Sequence, residues 1–161
     1  MDVNLINPFI IAARGVFDTM VRLPLMSGKP HVRASSQAVN RTFKVSVQIR
    51  FHGAAEGIAV LHMSEAVALA MATAFSGEPY LSINADVHDA LGEVANLIIG
   101  SAKEHLGPDL HISVPKVYDA SEVHCPSGSP VVVIPFDTTA GRFVLEVSLQ
   151  SNPAAKAVRA A

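Results

Sequence analysis

Two carboxylates and an amide, Asp89, Glu93 and Asn96, stand at helical spacing in this 161-residue chain. They lie in the stretch 86–106, and the series i, i+4, i+7 continues through Gly100 and Lys103 at i+11 and i+14. At about 100° per residue of a helix this is one narrow stripe. The apolar positions Leu91, Val94, Ala95, Ile98, Ala102 and Leu106 collect on the other side. A core-packing helix turns its polar side outward, so exposure of the stripe is expected. Its contents are less ordinary. Asn is a modest helix former, and Gly inside a helix costs roughly 1 kcal/mol relative to Ala. A solvated face with no further duty would more comfortably carry Glu, Lys, Gln or Ala. Gly100, one turn beyond Asn96, would let another surface come close to the helix backbone.

Other chemistries fit the sequence less well. His88 beside Asp89 and Glu93 suggests a metal site, but it lies about a quarter-turn off their stripe, and the chain has no H-x-x-x-H or H-E-x-x-H spacing. No metal site is therefore expected. Cys125 is the single cysteine, which excludes an intramolecular disulfide, and a thiol nucleophile would need a nearby base in an electropositive setting. Gly53, Gly57 and Gly128 read as turn residues without phosphate-loop spacing. His62 and His111 fall in expected strands, where core-edge or surface roles suit them.

The rest of the chain supplies the frame for this stripe. Residues 3–23 repeat apolar residues at helical intervals, with Asn4 or Asn7 available as cap, Pro8 in the first turn and a stop before Pro24. Residues 24–40 read as a connection enclosing a short strand near His31-Val32-Arg33. Phe43, Val45, Val47, Ile49 and Phe51 alternate with Lys44, Ser46, Gln48 and Arg50, the pattern of a half-buried strand whose polar side, with Arg41, faces solvent. Residues 52–57 turn the chain and 58–63 return as a second strand. Ser64 can cap a helix over 65–75 that stops near Gly77, and Asn84 or Asp86 can cap the stripe-bearing helix, which Gly107-Pro108 ends. Strands follow over 110–118, interrupted by Pro115, then over 131–136 and 142–149, the last two joined by a hairpin loop at 137–141. A long helix precedes a hairpin in each half, without a residue-level repeat. Helices and hairpins in this order, with no regular strand-helix-strand alternation, predict an α+β layer fold: a mostly antiparallel sheet with long helices packed on it.

Composition sets the frame. Half of the residues are hydrophobic and 16% are charged, which argues against disorder. The length suits one domain over 1–150, with 151–161 expected to be a frayed tail. A net charge of −2 gives no electrostatic case for nucleic acid or an anionic membrane. The apolar run 8–13 is broken by Arg14, is too short to span a bilayer and lacks the basic stretch of a signal peptide, so the expected location is the cytoplasm.

The pattern Asp89-x-x-x-Glu93-x-x-Asn96, with Gly92 before the Glu and Gly100 four after the Asn, resembles the signature of the CheC/CheX/FliY phosphatases, which act on phosphorylated receiver domains in chemotaxis and related signalling. The order of elements fits that family over about residues 3–150. The first helix carries no Glu-x-x-Asn, so the chain is more similar to CheX than to two-motif CheC members. The resemblance implies hydrolysis of an aspartyl phosphate on a CheY-like receiver. Asn96 would orient the attacking water and Glu93 would pair with a receiver lysine; Asp89, with Gly100 and Lys103, would support docking. The protein would need no cofactor of its own, the Mg2+ being the receiver's. Relatives of this type are dimeric, and the edges of an open sheet offer a route to a homodimer. Pro115 lies nearer to Asn96 than the family pattern places its proline, which bears on how the loop meets a partner. The competing reading is a non-catalytic module that docks a receiver without hydrolysis; a purely structural oligomer subunit would bind no receiver.

Overall fold

A computed structural model describes residues 6–33, 42–119, 123 and 130–151. Helix α1 spans Asn7–Val16 and continues as a π-helical turn, Phe17–Val21. Two short strands follow, β1 (Met26–Ser27) and β2 (His31–Arg33), then a long hairpin of β3 (Val45–Gly53) and β4 (Ala55–Met63). Helices α2 (Glu65–Ser76) and α3 (Ala85–Leu106) come next, then β5 (Leu110–Ile112), β6 (Lys116–Asp119), β7 (Val131–Thr138) and β8 (Gly141–Ser151).

The strands form one eight-stranded antiparallel sheet in the order β1-β7-β8-β4-β3-β5, with β2 also on β7 and β6 also on β3. Both outer positions are thus divided between short strands, which leaves little continuous ladder for another chain to extend. The α+β expectation holds: one face of this sheet carries the helices.

Period-two alternation explains that face. Val45, Val47, Ile49 and Phe51 of β3 point the same way as Ala59, Leu61 and Met63 of β4, and the registers Val47–Leu61 and Leu61–Leu145 carry the row into β8. Ile134 lies opposite Leu145 and Phe136 opposite Phe143 on β7. Aromatic rings fasten α1 to this surface: Phe17 stacks on Phe143 at 5.5 Å and Phe9 meets Phe51 edge-on at 6.2 Å.

The opposite face of the sheet differs from its sequence reading. Lys44 and Arg50 are exposed, but Ser46 and Gln48 are buried, as are Ile58, Val60, Glu146 and Ser148. Val123 and Tyr118 pack on Ile58 and Val60, a second apolar cluster that removes the middle of the hairpin from water. Alternation in one strand reports only that its two faces differ; it carries no information about what later segments cover. His62, expected at a core edge or surface, is fully buried here, with Nδ1 2.6 Å from the Ser46 hydroxyl across the β3–β4 register. Arg33 of β2 reaches over β7 to pair with Glu146, whose Oε2 is 3.6 Å from His62 Nε2. A polar line therefore runs across this face of the sheet.

Local differences have simple causes. The N-cap of α1 is Ile6, which makes no side-chain cap hydrogen bond; Asn7 is already helical with Pro8 behind it, and Asn4 lies outside the described residues. The turn expected over 52–57 is much tighter: β3 ends at Gly53 and β4 begins at Ala55, with Gly53 at φ +97°. The 137–141 loop likewise contracts, because Thr138 and Gly141 pair. Arg41, Cys125, Gly128 and the 152–161 tail lie outside the described residues.

Candidate functional site

Helix α3 is built as its sequence requires. The Asn84 side chain accepts the Val87 N–H at 2.9 Å, which supplies one of the first-turn donors with a partner, and Gly107 stands at the C-terminal end. Val87, Ala90, Leu91, Val94, Ala95, Ile98, Ile99 and Ala102 are buried against α1, α2 and β3. Each buried Leu or Ile contributes about 1.5–3 kcal/mol relative to exposure, so the orientation of the helix about its axis is strongly fixed.

That orientation settles where the stripe points. Asp89 and Glu93 are exposed; Asn96, Gly100 and Lys103 are half-buried. Glu93 and Asn96 are three residues apart, which places their Cβ atoms about 5–6 Å apart on one helix surface. Among the described residues, no hydrogen bond or ion pair ties the side chains of Asp89, Glu93 or Asn96. These polar groups face outward and are available to another molecule.

The segment from β5 to β6 runs along this side of α3. A Cβ built on Gly100 would lie 4.0 Å from Ile112 Cδ1, and one built on Gly92 would lie 3.7 Å from Pro115 Cβ. The surface that approaches Gly100 is therefore the chain's own Ile112. Pro115, despite its early position in sequence, stands directly beside the stripe. Between helix and segment lies an open groove of about 490 Å³, lined by His88, Asp89, Gly92 and Glu93 on one side and Val114, Pro115 and Val117 on the other. His88, read from spacing as lying off the stripe, shares this groove. Val114 is 80% exposed, and a single sequence offers no signal that would have placed it here.

Among the described residues no group of three His, Cys, Asp or Glu side chains is placed to hold a metal ion, and no helix is long and apolar enough to cross a membrane. His111 is exposed and faces His52 with ring centroids 5.5 Å apart.

The fold, a layer of helices on an open antiparallel sheet, is similar to that of solved CheC-like and CheX chemotaxis proteins. The fold matches a CheC-like superfamily protein from Shewanella sp. PV-4 with a TM-score of 0.81 and 26% identity, covering 94% of this chain and 100% of that one. It matches the chemotaxis protein CheX from Vibrio vulnificus equally well, with a TM-score of 0.81 and 26% identity over 91% of this chain and 99% of that one. At 22% identity and a TM-score of 0.77, covering 93% of this chain and 100% of that one, the fold also matches the CheX-CheY-BeF3-Mg+2 complex from Borrelia burgdorferi. No curated protein matches the sequence. The family model described as chemotaxis phosphatase CheX matches residues 45–137, more than half of the chain, and the chain belongs to that family.

Proposed function

We propose that this protein is a phosphatase for the aspartyl phosphate of a CheY-like receiver domain, with the outward stripe of α3 as its working surface. The observation that carries the reading is the pairing of exposed Glu93 with Asn96 one turn on, neither tied to another described side chain, on the longest helix of a CheX-family fold. The solved Borrelia CheX complex contains CheY, which supports a receiver as the partner class.

The chemistry asks little of the protein beyond position. Water attacks phosphorus in line, the bond from phosphorus to the receiver's carboxylate oxygen breaks, and inorganic phosphate leaves with the carboxylate restored. Asn96 has an amide that can accept from and donate to that water, so inserting it beside the phosphoryl group fixes the line of attack. Glu93, one turn away, docks a receiver lysine and sets the depth of insertion. Asp89, Gly100 and Lys103 extend the docking surface along the same stripe. The divalent cation that neutralises phosphoryl charge belongs to the receiver. The reading places the protein in the cytoplasm, where such receivers work. A homodimer is part of the proposal, and with both sheet edges broken into short strands it would be held by side chains more than by a shared ladder.

A docking module without hydrolysis is the alternative. Receiver domains from the same genome, labelled with acetyl phosphate, separate the two when wild type, Glu93→Ala and Asn96→Ala are compared. Faster phosphate loss with wild type, abolished by Asn96→Ala with binding retained, establishes hydrolysis. Binding without acceleration by wild type establishes the module.

A further inference from the structure

The groove beside α3 has an uneven lining. Its helix side presents His88 and, beside it, Asp89 and Glu93, two carboxylates four residues apart, where like charges on one helix face repel. No cation pairs with either among the described residues. Its other side presents Val114 and Pro115, apolar groups of which Val114 is almost fully open to water. An acidic wall facing an apolar shoulder suits a ligand with a long aliphatic stem and a cationic end, which is the shape of a lysine or arginine side chain.

We propose that this groove takes a second basic side chain of the receiver, its stem lying on Val114 and Pro115 and its cation held by Asp89, while Glu93 remains engaged at the phosphorylation site. The inference rests on the phosphatase reading and deepens it: Glu93 and Asn96 serve the reaction, whereas Asp89 and Val114 select which receiver is served. Gly92 has a part in this, since its lack of a side chain keeps the floor of the groove open beside Pro115. Receivers carrying a neutral or acidic residue at the facing position leave Asp89 unmet and are disfavoured.

The test measures kcat and KM against the acetyl-phosphate-labelled receiver that wild type dephosphorylates fastest, at several salt concentrations. Asp89→Asn is expected to raise KM about threefold to fivefold and to flatten its dependence on salt, because one ion pair is lost. Val114→Ser is expected to raise KM about threefold with the wild-type salt dependence, because only the stem contact is lost. Both keep the wild-type kcat at saturation, since neither side chain meets the phosphoryl group. A wild-type KM and salt dependence in Asp89→Asn, or a wild-type KM in Val114→Ser, overturns the proposal and leaves the phosphatase reading standing. Failure of wild type to accelerate phosphate loss from any receiver overturns the underlying reading, and this inference with it.

Discussion

Pro115 packs across Gly92 at ordinary van der Waals range: a Cβ on the glycine would lie 3.7 Å from the proline Cβ. Steric exclusion by the neighbour therefore does not demand glycine at this position, and the helix would be better served by alanine. Gly92→Ala should stabilise the chain by about 0.5–1 kcal/mol, read as a higher urea midpoint at unchanged slope. Gly92→Leu would project into the groove itself. It should fold normally and raise KM for the receiver, which steady-state assays at several receiver concentrations would detect.

Asn96→Asp tests the amide directly. The two side chains share a shape, and the site is half-buried on the stripe, so the melting temperature should barely move. A carboxylate lacks the N–H donors of the amide and carries a negative charge toward a phosphoryl group that is already anionic. Hydrolysis should fall by about 100-fold or more, comparable with removal of a preorganised donor elsewhere. Single-turnover release of phosphate from a labelled receiver is the appropriate measurement, because it isolates kcat from changes in docking.

What could be read in advance follows from which information is local. Helix α3 was legible because its cap, apolar stripe and terminating glycine are all written within Asn84–Gly107. The β3–β4 pair was legible for the same reason, and only its turn was drawn too long. The stripe of Asp89, Glu93 and Asn96 followed once the apolar side of α3 was known. The groove was not legible, because Val114 and Pro115 come to line it only through the path of β5 and β6 along the helix. Nor was the burial of Ser46 and His62, whose flanking strands β6 and β8 arrive much later in the chain. The two-residue β1 has no periodicity to detect; it exists through its pairing with β7.

Asn84 carries a prediction about the frame of the site. Its side chain is the cap that meets the Val87 N–H, and α3 holds Asp89, Glu93, Asn96, Gly100 and Lys103. Asn84→Ala should cost about 1 kcal/mol of stability, whereas Asn84→Asp or Asn84→Ser should recover most of it. Urea denaturation of the three variants, monitored by helix signal, checks this order.

Asp137 gives the fold an acid-sensitive joint. Two hydrogen bonds from Arg142, at 2.8 and 2.9 Å, hold its carboxyl below the ordinary value of 3.8, and the same contact raises the Arg142 guanidinium above its own. A carboxyl with a lowered folded-state pKa contributes stability that is present in full above the unfolded value and lost as pH falls through the folded one. The pair is exposed, so its contribution is small. Melting temperatures of wild type and Asp137→Asn should therefore differ most near neutral pH, and the difference should shrink below about pH 4. Melting curves of both proteins across that range read the effect.

Glu146 should be among the costliest polar residues to remove. It sits nearly buried between Arg33, which pairs with it from across β7, and His62, which is tied in turn to Ser46. Truncation to Ala removes the carboxylate while leaving the Arg33 side chain only 11% exposed, so a largely desolvated cation loses this counter-charge. Breaking a buried pair from one side in this way costs about 3–5 kcal/mol. Removing both charges at once is a different experiment, because the desolvation cost of each disappears with it. Arg33→Met combined with Glu146→Leu should therefore be more stable than Glu146→Ala alone, by about 2 kcal/mol or more. The network lies on the sheet face opposite the helices, so the folded fraction of each variant should retain wild-type KM and kcat for a receiver. Equal destabilisation by the double replacement and the single truncation would show that the line of charges is held by more than its ion pair.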